Sequence, residues 1–157
     1  MKGRAEVERQ KQKLDATFGR VSKVVPLDDA ELLSDFARYL CVLVAGFLEQ
    51  SVIELTLEHV RNHSEASVQG YAESRLRQFT TANAQRIMDL MGTFDAGWRS
   101  DLESYLVDER KAAVDSVVAL RHNIAHGRYV GVTMATIKEY YPRVKHVVDH
   151  IADLCVP

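Results

Sequence analysis

The sequence predicts an all-α protein, a helical bundle of about five to seven helices. Apolar residues recur at three- and four-residue steps in several segments, which is the spacing of one helix face. The alternating pattern of a half-buried β-strand is nearly absent. Only 3 prolines and 8 glycines occur among 157 residues, so few positions break helices. Because 46% of the residues are hydrophobic and 27% are charged, a chain of this length can bury one sizeable core.

The first segment is a charged helix with few apolar positions, between residues 2 and 17. Such a weak packing face is typical of a projecting arm or of a contact with a partner. The stretch from Gly19 to Pro26 is expected to end this helix. We therefore interpret residues 1–25 as an N-terminal charged helix or arm, and residues 26–157 as a single helical domain.

The longest predicted element is the second helix. Asp28 suits its N-cap, and Glu31 at the third helical position would complete a capping box. The apolar pattern then continues to about His63. Around residues 42–48 it covers more than one helix face, so this helix is expected at the centre of the core.

Shorter helices are expected to follow, because breaks in the apolar pattern alternate with caps. Thr133 is expected to cap the last helix, which Pro142 should kink or split. The expected segments between are a helix from Ser64 or Ser67 to Gln78, a short helix around residues 87–91 closed by Gly92, a short or irregular segment from Asp95 to Tyr105, and a helix from about Asp108 to Gly127.

The stretch from Arg121 to Gly127 concentrates an arginine, two histidines and an asparagine at a predicted helix C-terminus. Gly127 tolerates the left-handed conformation that commonly closes a helix, which places His126 at the end. The partial negative charge of a helix C-terminus favours cations. A histidine beside an arginine is suited to proton transfer next to a phosphate. The alternative is that these cations do no more than cap backbone carbonyls.

The pattern of Arg121, a polar residue, three further residues and His126, running into Gly127, resembles the signature of the HEPN superfamily. These are small all-helical domains, many of them RNases of toxin–antitoxin and defence systems. The sequence from Asp115 to Tyr129 looks most like the RiboL-PSP and MAE_28990-type branches of this superfamily. The order of helices is similar over residues 30–154. The resemblance implies a HEPN-like helical bundle.

The resemblance also implies a metal-independent RNA endonuclease that uses the 2′-OH of the RNA as nucleophile and leaves a 2′,3′-cyclic phosphate. His126 is then the candidate acid or base, and Arg121 the candidate phosphate ligand. His122 and Asn123 would support them. Two copies of the motif across a homodimer interface would form one Arg/His cleft. The implied role is that of a toxin or defence effector held in check by a separate antitoxin protein, with no cofactor and no metal.

Three residues outside the pattern join the candidate site. Glu49 interrupts the apolar face of the long helix, where a polar group usually has a neighbouring partner. We expect it to hydrogen-bond Arg121 or a motif histidine and to orient that side chain. Arg128 and Tyr129 follow the motif, where they would bind a flanking RNA phosphate or stack on a base.

Two other classes of function remain open. A noncatalytic HEPN-like module would bind nucleotide or protein and keep the motif for dimerisation. A metal-dependent hydrolase would use histidines, because three pairs lie four residues apart on one helix face, a metal-site geometry. However, the Glu-x-x-His spacing of carboxylate-bridged bundles is absent. The pairs are His59 and His63, His122 and His126, and His146 and His150.

Charge and targeting features indicate a cytoplasmic protein with no membrane association. The net charge of −2 does not favour tight nonspecific binding to polyanions, so any RNA contact should be local. Cys41 and Cys155 lie in apolar surroundings and are interpreted as buried thiols of a reducing compartment. The N-terminus is charged, unlike a signal peptide. The longest apolar run, Tyr39–Leu48, is half the length needed to cross a bilayer.

Overall fold

The structure, a computed structural model, describes residues 2–157. Within that range the chain forms seven α-helices and no β-strand, which confirms the predicted all-α fold. The helices are α1 (Lys2–Val24), α2 (Ala30–His63), α3 (Ala66–Leu76), α4 (Ala84–Phe94), α5 (Ala96–Tyr105), α6 (Asp108–Ala125) and α7 (Met134–Cys155).

Helix α2 is the centre of the bundle, as its apolar pattern predicts. It packs against α1, α6 and α7, and α3 covers its C-terminal part. Leu40, Leu48 and Leu55 are fully buried. An 18-residue window of α2 has a mean hydropathy of 1.7, which by length and composition would suffice to cross a membrane. Because 72% of that window is buried inside the bundle, packing in the core accounts for its apolar character.

The N-cap of α2 is Asp29, and the prediction that Asp28 caps the helix is wrong by one residue. The Asp29 carboxylate accepts a hydrogen bond from the backbone N–H of Leu32 at 3.0 Å. A turn in which the Asp29 N–H donates to the Pro26 carbonyl at 3.2 Å brings Asp29, not its neighbour, to the helix start. Glu31 is therefore the second helical residue, and the predicted capping box does not form.

Helix α1 lies along the bundle and does not project from it. Its buried residues, Val7, Leu14, Phe18 and Val21, follow steps of seven, four and three, which is a narrow but sufficient stripe for packing. The Phe18 ring stacks on the Tyr141 ring of α7 with centroids 4.5 Å apart. The helix also continues through Gly19, where a break was expected, and ends at Val24.

The start of α1 touches the backbone of α2. A Cβ atom at Gly3 would lie 2.3 Å from the Glu54 carbonyl oxygen, so only glycine fits there without a shift of one helix. The next N–H, that of Arg4, donates to the Glu58 carboxylate at 2.5 Å. The Arg4 guanidinium donates to the Val156 carbonyl at 2.7 Å. The beginning of α1 thus joins α2 to the end of α7.

Two predicted breaks do not occur as expected. Helix α4 continues past Gly92 to Phe94, and α5 is a regular helix capped by Asp95, whose carboxylate accepts from the Gly97 N–H at 2.6 Å. Helix α7 is one continuous element through Pro142, so the proline does not split the helix, and the alternative of a kink stays a prediction. Pro142 is exposed, so water can replace the backbone hydrogen bond that proline removes.

Both cysteines are free and buried. The Cys41 thiol points towards the Val117 carbonyl of α6, with 3.8 Å between sulfur and oxygen. Burial raises the pKa of Cys41 to about 11 and that of Cys155 to about 12. Neither sulfur therefore carries the thiolate that a nucleophile or metal ligand requires near neutral pH.

Candidate active site

The candidate site begins at the C-terminus of α6. His126 is the C-cap, and Gly127 has a φ of +69°, the left-handed conformation predicted for it. The Gly127 N–H donates to the Ile124 carbonyl at 3.0 Å, and the Arg128 N–H donates to the Asn123 carbonyl at 2.9 Å. These two bonds form the Schellman turn, which satisfies carbonyls at the helix end. The turn fixes where His126 lies and in which direction the chain leaves the helix.

His122 and His126 lie together on the solvent-exposed side of this helix end. Their ring centroids are 4.4 Å apart, with the rings at 61° to each other. Both residues are exposed. The pair therefore forms an accessible edge at which a ligand can meet two ring nitrogens.

Arg121 is held on the opposite side of α6, against α2. Its Nη1 donates a hydrogen bond to Glu49 Oε2 at 3.1 Å, so the contact expected from the sequence is present. The Glu49 side chain is only 11% exposed, whereas the Arg121 side chain is 40% exposed. The Arg121 side chain is thus anchored through Nη1 by a largely buried carboxylate and still reaches solvent in part. Its guanidinium fork can still receive the oxygens of a phosphate.

Thr81 is a further contributor that the sequence did not reveal. Its backbone N–H donates to the same Glu49 oxygen that binds Arg121, at 3.2 Å. Thr81 has a φ of +57°, a left-handed conformation that β-branched residues rarely adopt. The sequence showed only a break in the helical pattern at residues 80–83. The Glu49 carboxylate therefore joins α2, α6 and the loop before α4 at one point.

Arg121 and His126 do not meet within one chain. They are five positions apart, which at about 100° per residue places the two side chains roughly 140° apart around the helix axis. Arg121 is turned towards Glu49 of α2, while the His126 ring contacts His122. A single chain thus presents the arginine and the histidine of the motif towards different directions.

Asn123, Arg128 and Tyr129 surround the turn. Arg128 Nη1 donates to the Asn123 carboxamide oxygen at 3.2 Å, so these two side chains lie together beside His126. Tyr129 is 87% exposed, and its ring has open faces. The predicted RNA-binding pair therefore lies next to the motif, in positions that a ligand can reach.

The remaining histidine pairs have separate surroundings. His59 Nδ1 bonds the Cys155 carbonyl at 3.2 Å, and burial lowers the pKa of His59 although that carbonyl opposes the shift. His150 Nε2 pairs with the Asp101 carboxylate, and its ring stacks on Tyr105 at 3.7 Å. His146 is exposed. In the described part of the chain no three His, Cys, Asp or Glu side chains are arranged to hold a metal ion.

Comparison with known protein families identifies the family of this chain. A sequence model of the RiboL-PSP-HEPN family matches residues 5–156, which is almost the whole chain. The chain belongs to the RiboL-PSP-HEPN family. No curated protein and no solved structure matches it. Membership of this family indicates a nuclease or a module of the HEPN type.

Proposed function

We propose that this RiboL-PSP-HEPN protein is a metal-independent RNA endonuclease that acts as a homodimer. The observation that carries the proposal is the geometry at the end of α6. Arg121 is anchored by Glu49 with its side chain 40% exposed, and the exposed pair of His122 and His126 lies at the end of the same helix on another side. A fixed cation and accessible imidazoles are the groups that phosphodiester transfer needs.

The proposed reaction uses a nucleophile that RNA itself contains. A base takes the proton of a 2′-OH, whose oxygen attacks the neighbouring phosphorus. The bond from phosphorus to the 5′-oxygen breaks, and that oxygen receives a proton from an acid. The products are a 2′,3′-cyclic phosphate and a 5′-OH. His126 serves as acid or base, Arg121 stabilises the phosphorane charge, and His122 and Asn123 support them.

A second copy of the chain would complete this site. The reaction needs a base and an acid as well as a cation, and the Arg121 and His126 side chains of one chain face different directions. Two motifs across a two-fold axis would supply two arginines and two histidines to one cleft. This is the arrangement that the family resemblance implies.

The surface suited to that second copy is the outer face of α2, formed by Tyr39, Val42, Leu43, Gly46 and Gln50. Tyr39 is 50% exposed, and a groove of about 410 Å³ runs between this face and α1. A Cβ atom at Gly46 would meet nothing within 4 Å, so another helix could approach closely there. Gln50, the last residue of this face, is next in sequence to Glu49, which binds Arg121, and the proposed second copy would be seated close to that contact.

The biological role that accompanies this activity is that of a toxin or defence effector in the cytoplasm. A separate antitoxin protein would then hold the nuclease in check. This part of the proposal follows from the analogy with HEPN proteins, since a fold alone does not determine a role.

A noncatalytic binding module is the second candidate, and one observation favours it. Arg121 already has a carboxylate partner in Glu49, so the arginine of the motif has a structural role that needs no substrate. A protein that retained the motif for this contact and for dimerisation would bind a ligand without cleaving RNA.

The test is incubation of the purified protein with total RNA in excess EDTA, followed by analysis of the fragment ends. Fragments with 2′,3′-cyclic phosphate and 5′-OH ends are expected, and the His126→Ala protein should produce few of them. Loss of cleavage in EDTA with recovery on zinc or manganese would indicate a metal-dependent hydrolase. A folded dimer that cuts no RNA would indicate the binding module.

A further inference from the structure

A groove of about 330 Å³ lies between α6 and the first half of α7, directly beside the candidate active site. This volume falls within the roughly 300–1,000 Å³ range of small-molecule pockets. The loop after the motif closes one side of the groove. The lining residues that matter here are Ser116, Leu120, Asn123, Val132, Thr136 and Tyr140.

All the residues that line the groove are uncharged, whereas Arg128, which binds Asn123, is a cation. Leu120 and Val132 provide apolar walls, and Tyr140 adds a partly buried ring. Ser116 contributes a hydroxyl group, which can both donate and accept hydrogen bonds. A phosphate would find no cation inside. A flat, uncharged ring with polar edges would find both apolar contact and hydrogen-bonding groups.

Asn123 connects this groove to the motif. It lies one helical turn before His126 and lines the groove. Its carboxamide oxygen accepts a hydrogen bond from Arg128 at 3.2 Å, so the amide of Asn123 is held in place and its NH₂ group provides the donors. The positive charge of Arg128 therefore lies beside Asn123, at the edge of an uncharged groove.

We infer that this groove binds a nucleobase next to the phosphate that is cleaved. The inference rests on the proposed RNA substrate and adds the residues that select it. A nucleotide has an anionic phosphate and an uncharged planar base. The surface correspondingly has the cation Arg128 at the edge of the groove and uncharged residues inside it. Contacts with phosphate position a nucleic acid, whereas contacts with base edges specify its sequence.

The hydrogen bonds at Asn123 also define which bases fit. The bond from Arg128 occupies one of the two acceptor sites of its oxygen, which weakens the bidentate contact by which asparagine recognises adenine. Its NH₂ group suits a carbonyl oxygen, which uracil, guanine and cytosine carry and adenine lacks. The groove should therefore favour a base with a carbonyl group over adenine on the flanking side of the cut.

The test measures binding of three probes to the full-length protein by calorimetry: uridine 3′-monophosphate, adenosine 3′-monophosphate and inorganic phosphate. The uridine nucleotide should bind about tenfold more tightly than phosphate, the usual effect of one well-packed base, and more tightly than the adenosine nucleotide. Ala119→Trp should remove the gain over phosphate, because Ala119 lines the groove and is exposed. Ala112→Trp, at an exposed position of the same helix outside the groove, is the matched control and should retain the gain.

Asn123→Ala should abolish the preference for uridine over adenosine. Equal affinity for all three probes, or a gain that survives Ala119→Trp, would overturn the base groove. The nuclease proposal fails separately. Base-dependent binding by a protein that cuts no RNA would refute the nuclease and support the groove. RNA cleavage without any effect of Ala119→Trp or Asn123→Ala on base-dependent binding would refute the groove alone.

Discussion

Arg121 on α6 and Glu49 on α2 share a hydrogen bond of 3.1 Å although 72 positions separate them in the chain. The Glu49 carboxylate is largely buried, and a buried charge needs a partner. Arg121 therefore stabilises the packing of α6 on α2 at the same point where it is proposed to bind phosphate. Loss of its charge would affect both properties, so a variant that separates them is needed.

Arg121→Lys is that variant. A lysine ammonium can still neutralise Glu49, so the melting temperature should change little. It cannot reproduce the planar fork that holds a phosphate in two hydrogen bonds, so RNA cleavage should fall on the order of 10²–10³-fold, the usual effect of losing one stabilising donor. Thermal unfolding and single-turnover cleavage measure the two properties.

Glu49→Gln with Arg121 intact is the companion variant. It should lower the melting temperature, since the ion pair is lost.

Full activity in the Arg121→Lys protein would contradict the proposed contact between the guanidinium and the phosphate.

His126→Ala tests the acid–base role. Removal of a positioned proton donor or acceptor lowers rates by about 10²–10⁴-fold, and His126 is exposed, so folding should be unaffected. His146→Ala is the control, because His146 is also an exposed histidine and lies on another helix, α7. If His126→Ala protein retained full cleavage, or if stability and activity fell together, the histidine would have only a capping role.

Gly46→Glu tests the proposed contact between two copies. A side chain at Gly46 meets only open space in the single chain, and glutamate is a better helix former than glycine, so each copy should fold at least as stably. A charge at the centre of the outer face of α2 should nevertheless separate the copies. Sedimentation velocity at micromolar concentration should therefore show a dimer for the unmodified protein and a monomer for the variant.

The matched control for the dimer is Gly19→Glu. Gly19 is a helical glycine on α1 that likewise has nothing within 4 Å of its Cβ position, but it lies outside the outer face of α2. This variant should remain dimeric. A monomeric unmodified protein, or a dimer that tolerates Gly46→Glu, would place the contact elsewhere.

Gly3→Ala tests the close approach of α1 to α2. The added methyl group would lie 2.3 Å from the Glu54 carbonyl oxygen, so the two helices must shift. Such overpacking costs about 1–3 kcal/mol of unfolding free energy, which urea denaturation can measure. Gly70→Ala, in the open part of α3, should instead be neutral or stabilising by less than about 1 kcal/mol. A stable Gly3→Ala protein would show that the start of α1 is free to move.

His59 should make stability depend on pH. Burial lowers the pKa of His59 below its ordinary value of 6.5, so the unfolded chain takes up a proton before the folded chain does. The associated stability is complete above about pH 6.5 and is lost as the pH falls through the folded pKa. Urea unfolding at pH 7.5 and pH 5.5 should therefore show a smaller decrease for His59→Asn than for the unmodified protein. An imidazole titration by NMR with a pKa at or above 6.5 would contradict this account.

The sequence predicted features that depend on local chemistry. Gly127 closes α6 as expected because left-handed closing turns have a clear glycine signal. Glu49 was expected beside Arg121 because an acid within an apolar helix face needs a partner. The narrow apolar stripe of α1 was misjudged because few residues carry its packing. Whether such a stripe packs depends on the surfaces that other helices offer it.

Features that depend on contacts between distant segments of the chain were not evident from the sequence. Thr81 binds Glu49 through its backbone N–H, a group that every residue except proline has, so its side chain type does not indicate the contact. The groove beside the motif is formed by residues of α6 and α7 whose types are ordinary for helices. Only the packing of the two helices brings Asn123 and Tyr140 to one slot.

The buried cysteines have a practical consequence. Since Cys41 and Cys155 are free, buried and far above neutral in pKa, alkylating probes should leave the folded chain unmodified at pH 7. A cysteine placed at Tyr129, which is 87% exposed, would then react selectively without removal of either native thiol. A spin label at that position would report the distance between the two loops of a dimer directly, and its change on addition of RNA would show whether the cleft closes around its substrate.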